Sequence, residues 1–423
     1  MTRSEPTIDR AVGMHTRHRA LRLAFWSLVV IAAGWLGYES WRLLFQPRPL
    51  GAVDLFLRHA ECVRWFEGEK IYRTRHDAVY PPASYLMLWP LLGWSSKGLV
   101  RVFWLVPTAL SVVWICRLFV QHSGVRAAPL RRLLYVVPLA SYPVGATVGN
   151  GQLSLLVVSS LLGGLMMLAE PQRSWRRDLA IAALVLAALV KPSVSAYFFW
   201  ILLFVPGGFR PACVVVAAYV ALTFGASLAQ QQGPIELLEA WMRRATGGVE
   251  WGATRGEGGI QSAAPAGGAS ARTAFVIKSI NLHSLLSIAG LRQLISSASF
   301  ALLALLGAWV FWNRRGHLLC LLGVSAIAAR FCSYHGWYDD VMMLIPLAAL
   351  LACSRAADSA RSRRIATGLA LALVLFLLAP GGIYALPPTL ANTYVVVQAA
   401  CWLAGLAFLA VMASTLGRPV AST

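Results

Sequence analysis

The sequence predicts an all-α polytopic membrane protein, a bundle of about twelve transmembrane helices, and three observations predict it. The 423 residues are 58% hydrophobic and only 13% charged, with a mean hydropathy of +0.64, which lies outside the range of soluble domains. Apolar runs of helix length recur along the whole chain, separated by short polar turns. The basic residues gather in those turns, as Arg126/Arg131/Arg132, Arg173/Arg176/Arg177, Arg314/Arg315 and Arg355/Arg361/Arg363/Arg364. Cytoplasmic loops carry such clusters, so the net charge of +20 orients the chain in a bilayer and does not point to nucleic acid.

Taken in order, Arg10, Arg17, Arg19 and Arg22 keep the N-terminus inside while 22–45 crosses outward. No small-residue cleavage site follows this run, so the first helix is expected to be retained. Residues 46–98 then form a first outer loop. Tyr80 to Trp94 is apolar but short and carries Pro81, Pro82 and Pro90, which predicts a juxtamembrane or re-entrant helix and not a span. If it crossed, every later arginine cluster would fall outside. Further spans are predicted at 99–120, 133–149, 152–169, 179–191, 193–206, 211–229, 292–312, 317–333, 340–353, 365–380 and 393–414, with both termini cytoplasmic. Between them, 230–291 forms a second large outer loop. Its stretch 230–278 is rich in Gly and small residues and is expected to be mobile, and Arg272–Ile288 is expected to form a surface helix. The chain reads as a single membrane domain over 1–423. Its seven cysteines are scattered through apolar runs and suggest neither disulfides nor a metal site.

The most polar stretch is Asp54–Pro82 in the first outer loop. Leu55, Phe56, His59, Cys62, Val63 and Phe66 recur at helical spacing, while Arg58, Glu61, Arg64 and Glu67 take the other face. The pattern predicts a helix lying on the membrane with its apolar face down, stopped by Gly68 and capped by Asp54. From position alone, Asp54 is either a cap or a carboxylate held at the boundary of water and lipid for chemistry. Arg58 either pairs with Asp54 at i+4 or serves a substrate.

Four other polar sites reach the same face under this topology. They are Gly149-Asn150-Gly151-Gln152, Lys191-Pro192, Ser279-Ile280-Asn281 with Ser284-Leu285, and Ser333 to Asp340, which includes His335, Tyr338 and Asp339. Each has a structural reading: a tight turn, a snorkelling lysine, an aromatic belt with a satisfied histidine.

The order Asp54, Ala60, Gly68, Ile71-Tyr72 and Tyr80-Pro81-Pro82, followed by Gly151-Gln152, Lys191-Pro192, Asn281 and the His/Tyr-rich turn at 333–340, resembles glycosyltransferase family 87. Leu282-His283 interrupts the family's Asn-Gln-Ser pattern. The resemblance implies a GT-C-like transmembrane helical bundle with juxtamembrane helices in the first outer loop. It further implies a hexosyltransferase that moves mannose from a polyprenyl-phosphate-sugar donor to a lipid-linked or glycan acceptor, with inversion. The active site would lie on the outer, periplasmic face of a bacterial-type plasma (inner) membrane, and the product would belong to glycolipid biosynthesis. By that resemblance Asp54 is the catalytic base; packed beside it, His335 would orient that carboxylate or share its proton. Arg58, Lys191, Gln152, Asn150, Tyr80, Asn281, Tyr338 and Asp339 would hold donor phosphate or substrate.

No Walker A loop, HExxH spacing, GxSxG elbow or dinucleotide fingerprint is present, and Asp339-Asp340 is not a DxD motif. No cofactor and no metal is expected, and the expected partners are the lipid-linked donor, the acceptor and membrane lipids. The competing class is a lipid or solute transporter, whose cues would be intramembrane charge and inverted repeats. Charge here collects at one face and no repeat is visible.

Overall fold

A computed structural model describes residues 7–47, 50–74, 78–254, 260–262, 275–277, 281–332, 337–379 and 387–416. Among the described residues the regular structure is helical apart from one short antiparallel pair, β1 (Ile260–Ser262) and β2 (Phe275–Ile277). The helices are α1 (Thr7–Phe45), α2 (Val53–Phe66), α3 (Ile71–Thr74), α4 (Pro82–Leu92), α5 (Lys97–His122) and α6 (Ala128–Ala140). Next come α7 (Tyr142–Asn150), α8 (Ser154–Met166), α9 (Trp175–Ala188), α10 (Pro192–Phe204), α11 (Phe209–Gln230) and α12 (Pro234–Thr254). The chain finishes with α13 (Leu282–Ile288), α14 (Ile295–Trp312), α15 (Leu318–Cys332), α16 (Leu344–Ala356), α17 (Ala360–Leu378) and α18 (Pro388–Thr415).

Among the described residues, six helical segments are long and apolar enough to cross a membrane: Arg19–Phe45, Lys97–His122, Phe209–Gln230, Ile295–Trp312, Trp337–Ala356 and Thr389–Thr415. Three shorter apolar helices, Ser154–Ala169, Pro192–Phe204 and Leu318–Cys332, accompany them. The surface is the reverse of a soluble protein's. Val30 on α1, Leu110 on α5, Leu228 on α11, Leu305 on α14 and Leu375 on α17 are each more than half exposed. Large exposed aliphatic side chains on this many helices belong against lipid. The protein is a polytopic membrane protein.

The predicted span 133–149 is two helices. Pro138 lies in the last turn of α6, Ser141 is extended at ψ 137°, and Pro143 sits in the first turn of α7, so the helix breaks at Ser141. Two other expectations are corrected. Residues 234–254 of the Gly-rich outer segment form the amphipathic helix α12. Within 272–288 the chain runs through β2 before α13 starts at Leu282, so no continuous helix occupies that stretch.

The helix α2 has the predicted extent, but it packs differently. Its buried side chains are Leu55, Arg58, His59, Glu61, Cys62 and Trp65, and it lies against α4, α5, α7 and α11. Arg58 and Glu61, expected to face water, are turned inward as an ion pair at 2.5 Å, and the Tyr85 hydroxyl donates to the same Glu61 oxygen at 3.1 Å. A buried charge pair is better tolerated when further donors meet its lone pairs, and the Tyr85 hydroxyl does so for one of the two Glu61 oxygens. Trp65 stacks on Tyr85 with ring centroids 4.6 Å apart, which closes this small core. Gly68 at φ +84° ends the helix as expected. From above, α12 clasps the loop: Trp241 donates to the Val79 carbonyl at 2.9 Å and Arg244 to the Tyr72 carbonyl at 3.0 Å.

Candidate active site

The site forms where the start of α2, the α7–α8 turn, the α9–α10 break and the 3₁₀ turn Trp337–Met343 meet at one end of the bundle. Backbone chemistry brings the first two together. The N-cap of α2 is Ala52, left-handed at φ 52°, and its N–H donates to the Gly149 carbonyl at 2.9 Å. Asp54 is therefore not the cap but lies in the first helical turn, where a carboxylate still complements the helix dipole. Gly151, at φ +67°, stands so close to α2 that a Cβ there would meet the Leu55 Cβ at 2.5 Å. Only glycine permits this approach, and it delivers Gln152 to Asp54.

Gln152, itself buried, donates its side-chain amide to the Asp54 carboxyl. Asp54 is only partly covered, so a substrate can reach it. Burial pushes the Asp54 carboxyl above the usual carboxylate range; Arg58, the Gln152 bond and Lys191 hold it back, and Asp339 adds to the rise. A carboxyl whose affinity for a proton is raised in this way is suited to act as a proton acceptor.

The second half of the site is built on Lys191. The helix α9 ends at Ala188, and Pro192 opens α10, so Lys191 occupies a chain break where its backbone is fixed. Its Nζ donates to Asp339 Oδ1 at 2.6 Å and to Ser154 Oγ at 3.0 Å, and lies 5.4 Å from the centre of the Tyr338 ring. The Ser154 hydroxyl in turn donates to Asp339 Oδ1. All three are buried. Thr147 on α7 donates to the Tyr338 carbonyl at 3.0 Å, which ties this turn to the helix leading to Gln152.

Tyr80 completes the arrangement. The Arg58 guanidinium lies over its ring, 4.4 Å from the centroid, and the Tyr72 hydroxyl holds its carbonyl at 2.6 Å. Burial raises the Tyr80 phenol above its ordinary value, while Lys191 and Arg58, both in electrostatic reach of it, work against the rise. Asp54, Arg58, Tyr80, Gln152, Lys191, Tyr338 and Asp339 are thus brought to one place from five parts of the chain.

Other expected residues are used elsewhere. Asn150 accepts from Arg42 at 3.0 Å, and Arg42 also pairs with Glu39 at 2.7 Å, so Asn150 ties α1 to the turn. Asn281 caps α13: its Oδ1 accepts from Ser284 N at 2.8 Å and from Ser284 Oγ at 2.9 Å. His335 lies outside the described residues. Asp339 is bound to Lys191 and Ser154 and so is placed to orient the lysine. Ser154 itself was missed from the sequence; its only signal was its place two residues beyond Gln152 at a helix start. Among the described residues, no three His, Cys, Asp or Glu side chains group as a metal site would.

Comparison with curated proteins and with solved structures gave no match. The profile of glycosyltransferase family 87 matches residues 78–333, well over half of the 423. That span contains Tyr80, Gln152, Ser154 and Lys191, and the structure ties Asp54, which precedes it, to the matched segment through Gln152 and Gly149. The chain belongs to glycosyltransferase family 87.

Proposed function

We propose that this membrane glycosyltransferase moves a hexose, mannose by the family resemblance, from a polyprenyl-phosphate donor to a hydroxyl of a lipid-linked or other glycan acceptor on the outer face of the membrane. The distribution of arginine clusters supports this reading: with about twelve crossings, Tyr80–Trp94 re-entrant and both termini inside, Asp54 would lie on that face. The observation that carries the reading is the placement of a reachable carboxyl, Asp54, within reach of two cations that are held by their own carboxylates, Arg58 by Glu61 and Lys191 by Asp339.

In this step the acceptor oxygen attacks the anomeric carbon and gives its proton to Asp54. The bond from the anomeric carbon to the phosphate oxygen breaks on the opposite face, and the electron pair leaves with the polyprenyl phosphate. One displacement inverts the anomer. Negative charge grows on the leaving phosphate, and Lys191 and Arg58 offer charge-assisted hydrogen bonds to it. Asp339 and Ser154 position Lys191, so that the ammonium is already oriented when the charge develops. Polyprenyl phosphate is a good leaving group, and the step needs no acid.

The test is to supply the purified protein with polyprenyl-phosphate mannose and a membrane lipid extract and to look for a new mannosylated product by mass spectrometry. Product formation that disappears in Asp54→Asn supports the reading. Transfer from a nucleotide sugar but not from the lipid-linked donor would overturn the donor assignment.

A further inference from the structure

The end of the bundle away from Asp54 holds a cavity that the transfer reaction does not use. The helices α8, α10 and α16 begin beside Ser154, Lys191 and Asp339 respectively, and run away from them. At their far ends, near Met166, Val205 and Ala356, they line a cavity of about 980 Å³. A helix of 13 residues such as α8 is roughly 20 Å long, so the cavity is separated from the Asp54 cluster by most of a bilayer core.

Two kinds of wall meet in it. Met166, Val205 and Leu319 supply apolar surface, and Arg126, Arg173, Arg177 and Arg355 bring four guanidiniums against one carboxylate, Glu170. Gly207, at φ +92°, lies between two of them: a Cβ there would be 3.2 Å from a terminal nitrogen of Arg177 and 3.6 Å from Nε of Arg173. Arg177 is 6% exposed. Its terminal nitrogens are taken by the carbonyls of Glu170, Gln172 and Gly207 and by Asp178, but its buried Nε has no acceptor. Arg173 and Arg355 are exposed, and among the described residues neither side chain has a hydrogen-bond acceptor. Arg173 and Arg177 meet at Gly207, with Arg126 and Arg355 lining the same cavity; such like charges repel one another unless an anion lies between them, and the geometry of arginine suits a phosphate. A basic pocket between membrane helices with apolar sides matches an amphiphile that carries phosphate on hydrocarbon.

We propose that this cavity binds the head-group phosphate of an anionic phospholipid between Arg173, Arg177 and Arg355, with its acyl chain along the Met166 and Val205 wall. The site goes beyond the transferase reading and does not depend on it. A bound lipid there would hold together the ends of the helices whose other ends carry Ser154, Lys191 and Asp339.

The full chain, stripped of lipid in detergent, is to be titrated with phosphatidylglycerol, phosphatidylcholine and inorganic phosphate in native mass spectrometry. Phosphatidylglycerol should bind at least about tenfold more tightly than phosphatidylcholine, and the double variant Arg173→Ala/Arg355→Ala should lose about tenfold or more of that affinity, by the worth of charge-assisted contacts. Both replaced side chains are exposed, and Arg177 keeps Asp178, so the variant should remain monodisperse. Equal binding of the two lipids, or unchanged binding in the double variant, overturns the proposal. Inorganic phosphate binding as tightly, with the same arginine dependence, would make this a soluble-anion site and overturn the lipid assignment. Asp54→Asn should bind phosphatidylglycerol as the parent does; loss there would place the lipid in the transfer site and overturn the proposal.

Discussion

Lys191 Nζ lies 2.6 Å from Asp339 Oδ1 in the structure, although the two residues are 148 positions apart in the chain. A snorkelling anchor would carry its ammonium into water, whereas Lys191 is 7% exposed and is held by three neighbours, Asp339, Ser154 and Tyr338. The geometry is that of an ammonium held in place by Asp339, and the proposed contact of Lys191 with the donor phosphate is open to test by substitution.

Lys191→Ala should therefore lower kcat and weaken the donor KM together, by about 2–4 kcal/mol in kcat/KM if the contact strengthens as phosphate charge develops. The variant leaves Asp339 buried without its cation, which costs about 3–5 kcal/mol of stability, so the rate is to be normalised to folded protein. Lys191→Arg keeps the charge but cannot fit a compact ammonium's geometry with Ser154 and Asp339, and much of the rate should be lost. If both variants stay within about twofold of the parent, a difference of about 0.4 kcal/mol, the phosphate role is wrong.

Ser154→Ala separates positioning from contact. Lys191 keeps its bond to Asp339, and the variant loses the hydroxyl that bridges the ammonium and the carboxylate, two hydrogen bonds to charged groups worth about 1.5–3 kcal/mol each. The expected result is a fall in kcat of a fewfold to tenfold with the donor KM little changed, because the ammonium is present but less well fixed. A donor KM that rises as far as in Lys191→Ala would mean that Ser154 itself touches the donor.

Asp54→Asn should abolish transfer while the protein still folds and binds donor. The amide oxygen can still accept from Gln152, but it cannot take a proton, and a general base contributes about 10²–10⁴-fold. Initial rates and donor binding measured on the same preparation check this. Near-normal turnover would sink the base assignment.

The helices were legible because their cause is local: apolar runs of helix length broken by Pro, Gly and arginine clusters. The inward turn of Arg58 and Glu61 was not, because a sequence pattern assigns charge to water, and only the approach of Tyr85 and Tyr80 makes burial of that pair acceptable. The cap was misplaced by two residues for a similar reason. Ala52 adopts a left-handed conformation because its N–H is claimed by Gly149, a contact across about a hundred residues that no local preference announces. By contrast, α12 could have been found, since Ile235, Leu238 and Met242 recur at helical spacing in the stretch set aside as Gly-rich. Ser154 was hidden: a serine at a helix start reads as a helix residue until Lys191 and Asp339 are seen on either side of it.

The topology rests on α4 not crossing. Single cysteines at Gly124 and Arg173, in a background lacking the exposed Cys213, should be shielded from an impermeant thiol reagent in intact cells, and one at Glu239 on α12 should be labelled. The reverse pattern would mean that Pro82–Leu92 spans, and every later helix end would change sides.

The pH dependence follows from the surroundings of Asp54. Burial raises its carboxyl above the usual range against the pull of Arg58, Gln152 and Lys191. The base works as a carboxylate, so kcat/KM should be full above the raised pKa and fall as pH drops through it. An unperturbed aspartate would place that acid limb near about 4. Here the fall should begin at a higher pH, and its position should respond to neighbours in a fixed direction. Gln152→Leu removes a hydrogen bond that favours the charged form, so the acid limb should move up in pH. Removing the opposing negative charge in Asp339→Asn should move it down if Lys191 stays charged and in place. The check is kcat/KM against pH for the parent and both variants, with folding verified across the range. An acid limb in the ordinary aspartate range that neither substitution moves would show that the titrating group is not Asp54.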